Sequence, residues 1–215
     1  MDITSLGLSS FRLRGKAATV VTDPYNSTAV GLKFPKNIEA DVVTISHTHP
    51  DHNEVGAVGG NPFIITGPGE YEIKGVSIIG VTSYHDDKDG SLRGPNTIYR
   101  IEMDGLVVAH LGDLGHVLSS AQVEQLDGID ILIIPVGGVY SLDAVHASQV
   151  ISDIEPRVVI PMHYGRPELN PKVFGELAPV AAFLKQVGKE SVVPVPKLTM
   201  TKDKLPLQLE VVILE

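Results

Sequence analysis

Between His47 and His52 the chain reads His47-Thr48-His49-Pro50-Asp51-His52, three imidazoles and a carboxylate within six residues. Protonated rings so placed would repel one another. A divalent metal makes their convergence favourable, because neutral imidazole and carboxylate are the usual ligands of borderline divalent ions. The residues just before, Asp41-Val42-Val43-Thr44-Ile45-Ser46, are rich in β-branched side chains and are predicted to form a short buried strand. The cluster therefore sits where a strand runs out into a loop, the place where α/β folds carry their sites. Near a strand end, residues two apart share a face. His47 and His49 can thus address one ion while Asp51 and His52, carried round the following bend, address another.

Three later apolar runs repeat this arrangement. Val76 to Val81 delivers His85 a few residues beyond its end, and Leu106 to Leu111 ends in Gly112-Asp113. Arg157 to Met162 delivers His163 directly. A convergent set of His47, His49, Asp51, His52, His85, Asp113 and His163 is expected. Of the remaining histidines, His110 lies inside its strand and is expected to be a hydrogen-bonded core or supporting group. His116 suits either a helix start or a contact at the site, and His146 flanks an apolar helical stripe.

The rest of the chain supplies the frame. Ser9 to Leu13 and Ala17 to Val21 read as a hairpin about Arg14-Gly15-Lys16, followed by Asp23, which suits a turn cap or a carboxylate orienting a ligating histidine. Asn26 to Ala40 and Asn53 to Pro62 read as loops, and Asp86 to Asn96 as a mobile polar loop near the site. Thr97 to Glu102 alternates and pairs with the run from Leu106 through the turn Asp104-Gly105. Ile131 to Val136 is apolar on both faces, as a strand in the middle of a covered sheet must be. Helices are predicted over Val117 to Asp127, over a stripe of Ala144, Ala147, Ile151 and Ile154 capped by Ser141, and from Pro179 to Gly188. The tail from Gln208 to Leu214 is expected to return to a sheet edge.

With 215 residues, 43% of them hydrophobic, and no composition shift, one domain spanning residues 1–215 is expected. The chain has no cysteine, so any metal must be held by nitrogen and oxygen. Seventeen basic against 26 acidic side chains give a net charge of −9, which disfavours nucleic acid as a partner. Neither a signal-peptide pattern nor an apolar run of membrane-spanning length is present, so a cytoplasmic location without membrane contact is expected. A homo-oligomer is compatible with the sequence.

The order of His-X-His-X-Asp-His, His85, Gly112-Asp113 and His163 resembles the metallo-β-lactamase fold superfamily. Gly112-Asp113-Leu114-Gly115-His116, Pro135-Val136-Gly137-Gly138 and Ile160-Pro161-Met162-His163-Tyr164-Gly165 look like its compact prokaryotic metal-dependent hydrolases, allied to ascorbate-6-phosphate lactonase. The resemblance implies a four-layer αβ/βα sandwich, two mixed β-sheets face to face with helices on the outer faces. It implies one metal on His47, His49 and His85, a second on Asp51, His52 and His163, and Asp113 between them. Two divalent transition metals are implied, zinc first, with manganese or iron as alternatives. They would act through a bridging hydroxide, whose proton Asp51 would steer. His146 is similar to a histidine that phosphodiesterase members carry shortly before the last ligand strand, which would make it a catalytic acid.

A metal-dependent hydrolase acting on a small anionic ester-like, lactone or phosphoester substrate is therefore expected. Arg93 and Arg166 are candidates to grip the anion. The alternatives are a phosphodiesterase or nuclease of the same fold, or a metal-binding regulatory domain without turnover.

Overall fold

The computed structural model describes residues 1–215. Five strands come first: β1 (Asp2–Gly7), β2 (Ser10–Arg14), β3 (Thr19–Thr22), β4 (Glu39–Thr44) and β5 (Gly59–Ile65). They are followed by β6 (Gly69–Ile73), β7 (Val76–Tyr84), β8 (Pro95–Met103), β9 (Leu106–His110), β10 (Ile131–Pro135) and β11 (Val158–Met162). Two short strands, β12 (Leu198–Thr199) and β13 (Glu210–Val211), complete the edges. The helices are α1 (Ser27–Val30), α2 (Ser120–Gln125), α3 (Ala144–Ile154), α4 (Pro171–Phe174) and α5 (Val180–Gln186).

The strands form two mixed sheets, ordered β12-β1-β2-β3-β4-β5 and β13-β11-β10-β9-β8-β7-β6. In the first, β3, β4 and β5 run parallel; in the second, β9, β10 and β11 do. Because β8 is antiparallel to both β7 and β9, those two strands also point the same way.

The sheets pack face to face. Ile3, Leu13 and Val42 of the first and Ile101, Ile131 and Ile133 of the second belong to one buried cluster. On β10 the alternate residues Leu132 and Ile134 face the other way, against Ala147 and Val150 of α3 and Phe183 of α5. This explains the unbroken apolar run: a strand covered on both faces has no polar positions. Ile133→Ala would cost about 2–5 kcal/mol, since the lost side chain leaves a cavity between two sheets.

The outer layers are unequal. Long helices cover the second sheet only, and the first is covered by loop residues such as Phe34 and Ile38 and a short 3₁₀ turn at Val55–Ala57. Local details differ from the sequence expectations. β1 carries only two large apolar residues, Ile3 and Leu6, too few for a period, and is a strand because β2 and β12 flank it. The helix expected over Val117 to Asp127 is confined to Ser120–Gln125, where Ser119 and Gln122 form a reciprocal capping box. Asp143, not Ser141, caps α3, because its side chain reaches the His146 N–H. The loop after Pro24 contains α1, capped by the Asn26 side chain.

Candidate metal centre

The carboxyl ends of β3, β4, β7, β9 and β11 open at one end of the sandwich, and each releases a polar residue there: Asp23, His47, His85, Asp113 and His163. Hydrogen bonds between the sheets hold this end together. Thr97 N–H donates to Ser46 O at 2.9 Å, and the Tyr99 hydroxyl donates to Ile45 O at 2.8 Å. The turn after β9 is held by Asn96, whose Oδ1 accepts from Asp113 N–H at 3.0 Å while its amide donates to Leu111 O and Ser83 Oγ. Gly137, after β10, lies so close to the His163 carbonyl that a β-carbon would overlap it. His163 itself has φ +51°, a left-handed backbone costly for a residue with a side chain.

Two groups of potential ligands result. His47, His49 and His85 form one, and Asp51, His52, Asp113 and His163 the other, with the ligand atoms of each group within 4.8 Å of one another. Asp113 joins the groups. Its Oδ2 lies 3.3 Å from His85 Nε2, 3.2 Å from His52 Nε2 and 3.3 Å from His163 Nε2. Asp51 Oδ2 lies 3.4 Å from His52 Nε2 and 3.8 Å from His163 Nε2.

Behind the rings, Asp23 is fully buried and accepts three bonds: from Ser46 N–H at 2.8 Å, Ser46 Oγ at 2.6 Å and His52 Nδ1 at 2.8 Å. Ser46 Oγ in turn lies 2.9 Å from His47 Nδ1. With Nδ1 of both rings engaged by Ser46 and Asp23, both Nε2 atoms face the centre. The structure thus places Asp23 as an orienting carboxylate rather than a turn cap.

Burial pushes His47 down to about 3, with the neighbouring His52 adding to the shift. Burial likewise lowers His85. Burial alone would lower His52 and His163 as well, but the carboxylates of Asp113 and Asp51 raise both, His52 well above the ordinary histidine value. Asp113 and Asp51 are buried, which favours the neutral acid, yet the surrounding rings hold both below the ordinary carboxylate range.

The donor set fits a divalent metal. His47 Nε2, His52 Nε2, His163 Nε2 and Asp113 Oδ1 are buried without a hydrogen-bond partner. Each unpaired buried group costs about 1–3 kcal/mol, and cations held by the two groups would satisfy all four. Nitrogen and carboxylate oxygen are the donors expected for zinc, manganese or iron.

His110, His116 and His146 lie elsewhere. His110 is buried, with Nε2 2.8 Å from Ser9 O and Nδ1 accepting from Gly112 N–H, so it supports the turn before Asp113. Both ring nitrogens of His116 are engaged, by Tyr84 N–H and by Val117 O. His146 is not brought to the centre. It stands exposed on the first turn of α3, its Nδ1 2.8 Å from Asp143 Oδ1, beside a separate depression with Ser141 and His116. Arg93 lines the cleft over the centre, whereas Arg166 pairs with Glu168 and does not line that cleft. Sequence reasoning passed over Ser46, Asn96 and Tyr140, the last of which also lines the cleft. Only Ser46 carried a signal, its adjacency to His47.

Residues 2–163 match the family model described as beta-lactamase superfamily domain. The chain belongs to the metallo-β-lactamase superfamily. Within it, the chain is a metal-dependent hydrolase. It is 30% identical to a metal-dependent hydrolase of Thermococcus onnurineus over 84% of this chain and 95% of that relative. A metal-dependent hydrolase of Pyrococcus furiosus is 26% identical over the same shares, 84% and 95%. The crystal structure of a metallo-beta-lactamase superfamily protein from Thermotoga maritima superposes with a TM-score of 0.81 at 37% identity, covering 99% of this chain and 97% of that one. The fold expectation, two mixed sheets in a sandwich, is met. No helix is long and apolar enough to cross a membrane.

Proposed function

We propose that the chain uses two divalent transition metals, zinc first and otherwise manganese or iron, to hydrolyse a small anionic ester-like, lactone or phosphoester substrate. His47, His49 and His85 would hold one ion, Asp51, His52 and His163 the other, and Asp113 would contact both. The observation that carries this reading is the position of Asp113 Oδ2, within 3.3 Å of ring nitrogens from both groups.

Two such ions would supply Lewis acidity and would lower the pKa of water from about 15.7 toward about 7. The protein's own residues do the rest. Asp23 and Ser46 fix the rings of His52 and His47 in one tautomer, so no reorganisation is needed during reaction. Asp51, partly exposed at the cleft, orients the attacking water through its carboxylate. Because its carboxyl is held below the ordinary range, it steers that proton rather than storing it. A polymeric nucleic acid is not favoured as substrate, given the net charge of −9.

The test is hydrolysis of a chromogenic phosphodiester, a lactone and a thioester by the metal-loaded protein. Turnover of at least one, abolished by chelation and restored by zinc or manganese, is expected. Two bound ions with turnover of none would return the chain to a metal-binding regulatory domain.

A further inference from the structure

The cleft above the centre, about 320 Å³, has two chemically different walls. One carries Arg93. Its backbone N–H is held at 2.7 Å by Asp86, whose carboxylate also accepts from the N–H groups of Lys88, Gly90 and Leu92. The segment expected to be a mobile loop is therefore a compact turn built round one carboxylate, and it begins at His85. That turn fixes the arginine relative to the centre.

The guanidinium of Arg93 lies 5.6 Å from the centroid of the Tyr140 ring and donates through Nη2 to Val139 O at 3.1 Å. Arg100 and Arg166 pair with Glu102 and Glu168, but Arg93 pairs with no carboxylate, although the protein is strongly acidic. A half-buried guanidinium backed by an aromatic face and held by one carbonyl keeps its remaining N–H groups for a planar oxyanion.

The other wall is apolar. The Tyr140 hydroxyl donates to Val173 O at 2.7 Å, joining the loop after β10 to α4. This places Val173, 43% exposed, and Phe174 along the cleft. The Phe174 ring meets that of His163 edge to face at 6.0 Å. The apolar wall thus continues to the centre itself, and Pro50 borders it from the motif loop.

We infer that Arg93, backed by the Tyr140 ring, forms an anion subsite beside an apolar wall of Val173 and Phe174, so that the substrate is a carboxylate attached to a short apolar or aromatic body. This rests on the hydrolase proposed above and narrows its substrate class. With Nη2 already donating to Val139 O, the guanidinium keeps one free edge, enough for the two oxygens of a planar carboxylate.

The test is equilibrium titration of the zinc-loaded protein with four probes: 3-phenylpropionate, its neutral amide, acetate and 2-phenylethylphosphonate. The carboxylate is expected to bind at least about tenfold more tightly than the amide or acetate, and more tightly than the phosphonate. Arg93→Ala should weaken 3-phenylpropionate by about tenfold or more, and Arg93→Lys, which keeps charge but loses the fork, by a smaller factor. Equal binding of acid and amide, or an Arg93→Ala affinity within twofold of wild type, would overturn the subsite. Tighter phosphonate binding would overturn the choice of carboxylate. Metal content measured on the same samples separates the two proposals. Two bound ions without Arg93 dependence defeat the subsite alone, whereas Arg93-dependent binding without bound metal defeats the metal mechanism alone.

Discussion

His52 Nδ1 lies 2.8 Å from Asp23 Oδ2, and this bond turns the opposite ring nitrogen toward Asp113, 3.2 Å away. Asp23 leaves one strand and His52 follows another, so the ligand's orientation is set by the pairing of β3 with β4. Replacing Asp23 by Asn keeps the shape but removes the charge that fixes the tautomer. Metal affinity, measured by competition with a chromophoric chelator, should fall about 10- to 100-fold. An affinity within twofold of wild type would show that Asp23 does not act through the ring.

Protons and metal compete for the same nitrogens. In the metal-free protein, His52 and His163 are raised by their carboxylate neighbours. Their protonated rings therefore add stability below about 6.5, which is lost as pH rises through the raised values. His47 has the opposite sign. Lowered to about 3, it makes the unfolded chain the stronger proton binder below the ordinary histidine pKa, so its burial costs stability in acid. Metal binding competes with protons at His52 and His163, where the neighbouring carboxylates favour the charged ring, and not at His47, which burial keeps neutral. Calorimetry in buffers of different ionisation enthalpy should register release of about one to two protons per chain near neutrality, with affinity rising with pH. Affinity flat from mildly acid to mildly alkaline pH would rule this out.

Gly137 tests the scaffold rather than the ligands. A methyl group there would press on the His163 carbonyl, on a residue already in a left-handed conformation. Gly137→Ala should cost about 2 kcal/mol, read as a fall in Tm of roughly 4–8 °C. It should also weaken metal binding, because the displaced backbone carries His163. An unchanged Tm would mean that the loop yields freely.

Much of this architecture was legible from the chain. The runs ending near His47, His85, Asp113 and His163 become strands whose carboxyl ends meet at one rim; burial on both faces makes the last two apolar throughout, while the first two are read from their β-branched and apolar residues. Contacts between segments remote in sequence were not legible. Asn96 reads as a loop residue until β7, β8 and β9 bring it to the Asp113 turn. Tyr140 acquires a role only when α4 closes against it. His146 drew attention by its place before the last ligand strand. Its ring instead bonds to Asp143, the N-cap of its own helix three residues earlier, and stays exposed.

Metal stoichiometry tests most directly whether Asp113 holds two metal sites together. After saturation with zinc near neutral pH and removal of loosely held metal, elemental analysis should give about two ions per wild-type chain. Asp113→Ala, confirmed as folded by circular dichroism, should retain at most one and lose more activity than any loop substitution. One ion or fewer in the wild type, or two in a fully active Asp113→Ala variant, would contradict the account.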